Sequence, residues 1–208
     1  MRLSYRTVAG CGAGEYEEKK SRFIGAAAPA SSESEAMEFV ASVRKKRADA
    51  SHNVYAYLCG GSGLQKKYSD DGEPRGTAGV PVLDVIEKGG LTDVVIVVTR
   101  YFGGTLLGAA GLIRSYGKAA TLAVAAAGAV TKSLARLVTF VFEYPMYNIL
   151  RNELEKGGYE IAGTVYAADV ELTVVAPYNE IGALCGRVGE LTAGAVLIEE
   201  KGDVYIDT

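Results

Sequence analysis

The chain has 208 residues, 49% hydrophobic and 23% charged, with a formal net charge of −3, as expected of a soluble globular protein with one large or two small domains. The longest uncharged stretch of its alanine-rich region, Ala119 to Thr131, is shorter than the roughly 18 apolar residues of a membrane span. The N-terminus lacks an apolar secretory stretch, and Cys11, Cys59 and Cys185 form neither a disulfide framework nor paired zinc spacings. A cytoplasmic protein without membrane contact is expected, its cysteines buried or incidental. Charge is uneven. Residues 1–133 hold 17 basic and 13 acidic side chains, a net +4; residues 134–208 hold 5 and 12, a net −7. Two units with different partners are expected.

Arg22 to Ala28 reads as a strand. Ser32 with Glu35 fits a capping box, and Ala36, Phe39, Val40 and Val43 share one face of a helix ending near Arg47. The basic run Arg44 to Arg47 suits the negative end of that helix, a phosphate-contacting patch being the alternative. Asn53–Cys59 and Gln65–Tyr68 read as a hairpin around Gly60-Gly61-Ser62-Gly63. Thr77 is a candidate cap for a helix that carries Pro81 in its first turn and stops at Gly89-Gly90. Val94 to Val98 is a continuous apolar run, which predicts a strand covered on both faces. A helix from about Leu106 to Ala127 follows, with small residues that permit close packing, and Gly128 is its stop.

From Leu134 onward the pattern restarts. Strands near 136–142, 159–166, 170–175 and 195–205 alternate with helices near 146–156 and 178–191 in β-α-β-β-α-β order, which suggests a ferredoxin-like sandwich. The expected class is α+β, with domains 1–133 and 134–208. A continuous sheet crossing residue 133 would count against that division.

Two loops concentrate the chemistry. The first is Ser69-Asp70-Asp71-Gly72-Glu73-Pro74-Arg75-Gly76-Thr77-Ala78-Gly79; the second surrounds Tyr101-Phe102-Gly103-Gly104. Asp70, Asp71 and Glu73 are chemically suited to a hard cation, but the EF-hand ligand spacing is missing, and ion pairs to Arg75, Arg100 and Arg114 are the favoured account. His52, the only histidine, is expected as a structural, hydrogen-bonded residue; pairing with Asp70 or Asp71 for proton transfer is the alternative. Nucleophile-elbow, zinc-helix, Walker A and dinucleotide motifs are absent. Gly103-Gly104 before a helix suits either anion binding or tight chain reversal. Phe102 is expected in the core, whereas Tyr101 fits either core or surface.

The combination Asp70-Asp71-Gly72-Glu73-Pro74, Thr99-Arg100-Tyr101-Phe102-Gly103-Gly104-Thr105-Leu106-Leu107-Gly108 and Gly111-Leu112-Ile113-Arg114-Ser115-Tyr116 closely resembles the IMPACT/YigZ family. The likeness extends through Lys19, Ser21, Arg22, Phe23 and Ala50-Ser51-His52-Asn53. It implies an N-terminal domain related to ribosomal-protein domains and domain IV of elongation factor G, followed by a ferredoxin-like domain similar to domain V of that factor. Eukaryotic relatives are implicated in translational control, so the resemblance implies a non-enzymatic, translation-associated protein that binds RNA, the ribosome or a translation factor. No cofactor and no metal are expected. First contact candidates are Arg75, Arg100, Tyr101, Gly103, Gly104 and Arg114, supported by His52, Asp70, Asp71 and Glu73 on one surface. Two other readings stay open: a metal- or phosphate-dependent enzyme using His52 and the acidic loop, and a protein-interaction module whose acidic C-terminal half meets a basic partner.

Overall fold

The computed structural model describes residues 2–60 and 64–208, so residues 61–63 of the expected Gly60-Gly61-Ser62-Gly63 turn lie outside the described residues. The strands are β1 (Ser4–Val8), β2 (Gly12–Glu18), β3 (Ser21–Pro29), β4 (His52–Cys59), β5 (Gln65–Ser69), β6 (Val94–Tyr101), β7 (Ala129–Phe142), β8 (Glu160–Tyr166), β9 (Val170–Pro177) and β10 (Leu197–Asp207). The α-helices are α1 (Glu33–Lys46), α2 (Gly79–Lys88), α3 (Gly108–Ala127), α4 (Tyr147–Lys156) and α5 (Ile181–Leu191). Contacts group the chain into two compact units, Met1–Thr131 and Lys132–Thr208.

The first unit is organised around β6, the middle strand of an antiparallel sheet ordered β2-β3-β6-β4-β5. Alternate side chains of a strand point to opposite faces. Val94, Ile96 and Val98 accordingly pack in a cluster with α2 and α3, while Val95 and Val97 pack in another with α1. Coverage on both faces is why the run is apolar at every position. Helix α3 lies close to β3: a Cβ on Gly25 would sit 2.3 Å from the carbonyl oxygen of Ala119.

Helix α1 begins as the sequence predicts, with the Ser32 hydroxyl accepting from the Glu35 N–H at 3.3 Å. Only half of the capping box forms, because the Glu35 carboxylate accepts from Ser31 instead, at 2.7 Å from its N–H. Strands β1 and β2 were not predicted. The sequence of β2, Gly-Ala-Gly-Glu-Tyr-Glu-Glu, lacks the β-branched alternation that signals a strand, and it is held in place by pairing with β3.

In the second unit β10, β7, β9 and β8 pair antiparallel in that order, with α4 and α5 contributing Leu150, Leu154, Ile181, Leu184 and Val188 to the core. This strand order with the β-α-β-β-α-β succession is a ferredoxin-like α+β sandwich. Burial along β9 alternates strictly, as a sheet with its helices on one face requires.

The boundary near residue 133 falls inside a strand. β7 runs unbroken from Ala129 to Phe142, across the expected boundary. The buried clusters do not mix, however: those of the first unit end at Ala127 and that of the second starts at Val138. No restart signal marks the boundary, since Gly128 stops α3 and β7 begins at the next residue.

Candidate functional site

The acidic loop connects β5 to α2. Asp71 at φ 47° and Gly72 at φ 89° turn the chain through consecutive left-handed residues, a conformation that Asp tolerates and Gly adopts freely. Asp70 then accepts three backbone N–H groups, from Gly76 at 2.9 Å, Ala78 at 3.1 Å and Gly79 at 2.8 Å. It therefore caps α2, whose own N-cap residue, Ala78, has no side chain to do so. Thr77 is not the cap that the sequence predicts: its hydroxyl donates to the Pro74 carbonyl at 2.7 Å.

Asp71 accepts from the Asn53 N–H at 2.6 Å with one oxygen and from Arg44 at 2.6 Å with the other. Glu73 turns inward. Its Oε1 accepts from the Arg100 guanidinium and from the Tyr116 hydroxyl, each at 2.7 Å, and all three residues are buried. Burial, followed by the hydrogen bond to Glu73, pushes the Tyr116 phenol far above its ordinary range and keeps it a donor. His52 stands opposite Arg100 in the β4–β6 register, which is how residues so distant in sequence meet. Its Nδ1 lies 2.7 Å from the Asp71 carbonyl oxygen, which only accepts, so Nδ1 carries the proton. Its Nε2 is 3.9 Å from Glu73, beyond hydrogen-bond range.

The structure thus sets His52, Asp71, Glu73 and Arg100 side by side in a polar network of two hydrogen-bonded sets, His52 with Asp71 and Arg100 with Glu73, with Asp70 in the same loop. It does not bring Arg114 or Arg75 into that network. Arg114 faces Glu18 at 3.7 Å and is 64% exposed; Arg75 is exposed and has no ion pair among the described residues. Arg100 is not a surface contact, because burial against Glu73 with Phe23 and Phe102 beside its guanidinium keeps it inside. Phe102 corrects the opposite way. It is 50% exposed, lying over Arg100 and outside the core clusters. Tyr101 is half-buried and donates to Asp49 at 3.1 Å.

Gly103 is where the chain passes closest to the β2–β3 turn: a Cβ there would fall 2.1 Å from the Lys20 carbonyl carbon, so no other residue fits without displacing backbone. Its N–H donates to the Ser21 hydroxyl at 3.1 Å. Gly104 follows at φ 84°. The requirement for glycine at both positions is met by chain geometry alone.

Tyr116, Arg44 and Asn53 are the members of the network that sequence reasoning missed. Tyr116 left a signal: it shares the buried face of α3 with Leu112, Ala119, Ala120 and Ala123, and a hydroxyl among such neighbours needs a partner. Among the described residues, no three His, Cys, Asp or Glu side chains converge as metal ligands. A groove of about 590 Å³ lies between α2 and α3, walled by Val80, Pro81, Val85, Ile113 and Val124, and none of the expected contact residues lines it. Among the described residues no helix is long and apolar enough to cross a membrane.

Residues 19–124, which hold this entire network, match the Impact N-terminal domain, and residues 140–195 match a domain of unknown function, DUF1949. The chain belongs to the IMPACT family. IMPACT family member YvyE of Bacillus subtilis is 39% identical over 207 residues, covering 100% of this chain and 95% of its own. IMPACT family member YigZ of Escherichia coli is 33% identical over 182 residues, covering 86% and 89%. A solved structure described as a hypothetical protein superposes with a TM-score of 0.62 at 31% identity, over 95% of this chain and 97% of that one. The two matched regions fall one within each unit.

Proposed function

We propose that this IMPACT-family chain is a non-catalytic, translation-associated protein whose first unit contacts RNA or the ribosome through Arg75 and Arg114. The observation that carries this reading is the commitment of the acidic loop. Asp70 is occupied by three backbone N–H groups, Asp71 by Arg44 and Asn53, and Glu73 by Arg100 and Tyr116. Carboxylates so engaged would have to give up these donors before holding a metal or activating water, which weighs against the enzymatic alternative. With the acids turned to internal work, the outward groups of these segments are cationic and apolar: Arg75, Arg114, Phe102 and Leu106, the last 84% exposed. Arginine positions phosphates and exposed aromatic rings stack on bases.

The test is ribosome and structured-RNA binding at several salt concentrations for the parent and for Arg75→Ala/Arg114→Ala. Arg100 is left intact, since its loss would damage the fold. The double variant should bind more weakly, and the slope of log affinity against log salt should fall by roughly 0.7 to 0.9 per phosphate contact removed. A folded double variant that matches the parent at every salt concentration would overturn the assignment. Recovery of partners from extract with and without nuclease separates an RNA-dependent association from a purely protein one.

A further inference from the structure

Three tyrosines meet at one edge of the second unit. Tyr144 lies in a 3-10 turn, Tyr144–Met146, before α4, Tyr147 starts α4, and Tyr166 ends β8, an edge strand of its sheet. The Tyr144 and Tyr166 rings stack with centroids 6.4 Å apart at 23°, and Tyr147 meets Tyr166 edge-on at 5.6 Å. Their hydroxyls are tied down. Tyr144 donates to the Ala167 carbonyl at 2.8 Å, Tyr166 donates to the Tyr147 oxygen at 2.9 Å, and Arg151 donates to that same oxygen at 3.3 Å. Tyr147 also packs against the unit's core, which anchors the group.

Despite this fixing, Tyr144 is 49% and Tyr166 58% exposed. Rings already held in place bind a partner with little further loss of conformational entropy. The unpaired charge flanking them is negative. Glu143 precedes Tyr144, and Asp169 closes the turn after Tyr166; both are exposed and neither has an ion pair among the described residues. The neighbouring cation, Arg151, is already engaged by Glu155 at 2.8 Å. Residues 134–208 as a whole carry −7.

The geometry points to a docking surface for an arginine-rich, basic segment of a protein partner. Aromatic faces attract guanidinium groups, flanking carboxylates add long-range attraction, and the same charge repels a phosphate backbone. The inference concerns the second unit alone and stands apart from the RNA contact proposed for the first.

The full chain is titrated by calorimetry with a short peptide of alternating arginine and serine, with its lysine counterpart of equal charge, and with oligouridylate. Stacking makes arginine the better ligand, so the arginine peptide should bind several-fold more tightly than the lysine one. Two cation–π contacts are together worth on the order of tenfold in affinity. Tyr144→Leu/Tyr166→Leu should lose about that much for the arginine peptide, together with the preference over lysine, while its circular dichroism is unchanged. Tyr144→Leu alone, at the more peripheral site, should lose about threefold, and keeps the test usable if the double variant does not fold. Glu143→Gln/Asp169→Asn should weaken both peptides. Equal affinity for the two peptides, parental binding by the tyrosine variants, or tighter binding of oligouridylate than of either peptide would overturn the proposal.

Discussion

β6 and β9 are both eight-residue antiparallel strands flanked by a partner on each side, yet they are buried in opposite manners. β6 is buried at seven consecutive positions; β9 is buried at every second one. The difference follows from helices on both faces of the first sheet against one face of the second, and it decides where polar groups can go. In the second unit Arg136 reaches Asp203 of the neighbouring strand β10 at 2.6 Å, with its side chain 24% exposed. In the first, Arg100 is the next-to-last residue of β6 and has no open face to turn to, so its charge is buried and a buried carboxylate must meet it.

That contrast breaks most visibly by removing the two arginines. Arg100→Leu leaves Glu73 buried and short of its cation, and should cost about 3–5 kcal/mol of first-unit stability by denaturant unfolding. Arg136→Leu, with water at hand to solvate the freed carboxylates, should cost about 1 kcal/mol or less. Adding Glu73→Leu to Arg100→Leu should recover much of the loss; a double variant as unstable as the single one would mean the cost lies in packing and not in charge.

The second way to sharpen it is a hydroxyl scan. Val97→Thr and Val98→Thr place a hydroxyl on opposite faces of β6, and both should destabilise by about 1–3 kcal/mol. Val174→Thr should behave like them, because Val174 faces the core of the second unit, whereas Val175→Thr on the other face should change stability by less than about 0.5 kcal/mol. Equal effects at Val174 and Val175 would mean the second sheet is covered on both sides as well.

The smallest expected effect lies at the surface of the first unit. The Glu33 carboxyl is held below its ordinary 4.5, chiefly by the hydrogen bond from Tyr57 and then by Lys67. A depressed folded-state value contributes stability that is present above the unfolded pKa and is lost as pH falls through the folded one. Glu33→Gln should therefore flatten the acid limb of the stability profile below about pH 4.5 and leave its shape at neutral pH unaltered, as read from thermal unfolding across pH.

Much of this was legible in the sequence because it is local. Val94 to Val98 announces a strand covered on both faces, Ser32 and Gly128 mark helix ends, and the β-α-β-β-α-β rhythm after Leu134 needs only periodicity to be seen. What was missed depends on pairing at a distance. Gly12 to Glu18 is a strand only because β3 offers it an edge, and β7 begins at Ala129, ahead of the expected boundary, with β10 paired to it from Lys132 onward. The site divides likewise. That the loop acids pair with arginine was readable, with Arg100 among the expected partners; what was not is that the β4–β6 register sets Arg100 beside His52, and that Asp71 takes Arg44 from a basic run for which the sequence offers the helix dipole or a phosphate contact. Phe102 was assigned inward on hydrophobicity, which does not register that the guanidinium beside it already occupies the interior.

The Asp70 cap has a consequence for motion. One carboxylate holds the Gly76, Ala78 and Gly79 amides, so the acidic loop and the first turn of α2 are fastened by the same side chain. Neither can open while the other stays shut. In hydrogen exchange those three amides should behave as a single cooperative element, exchanging at one common opening rate, and the interval between β5 and α2 breathes as a latch and not as a frayed helix end.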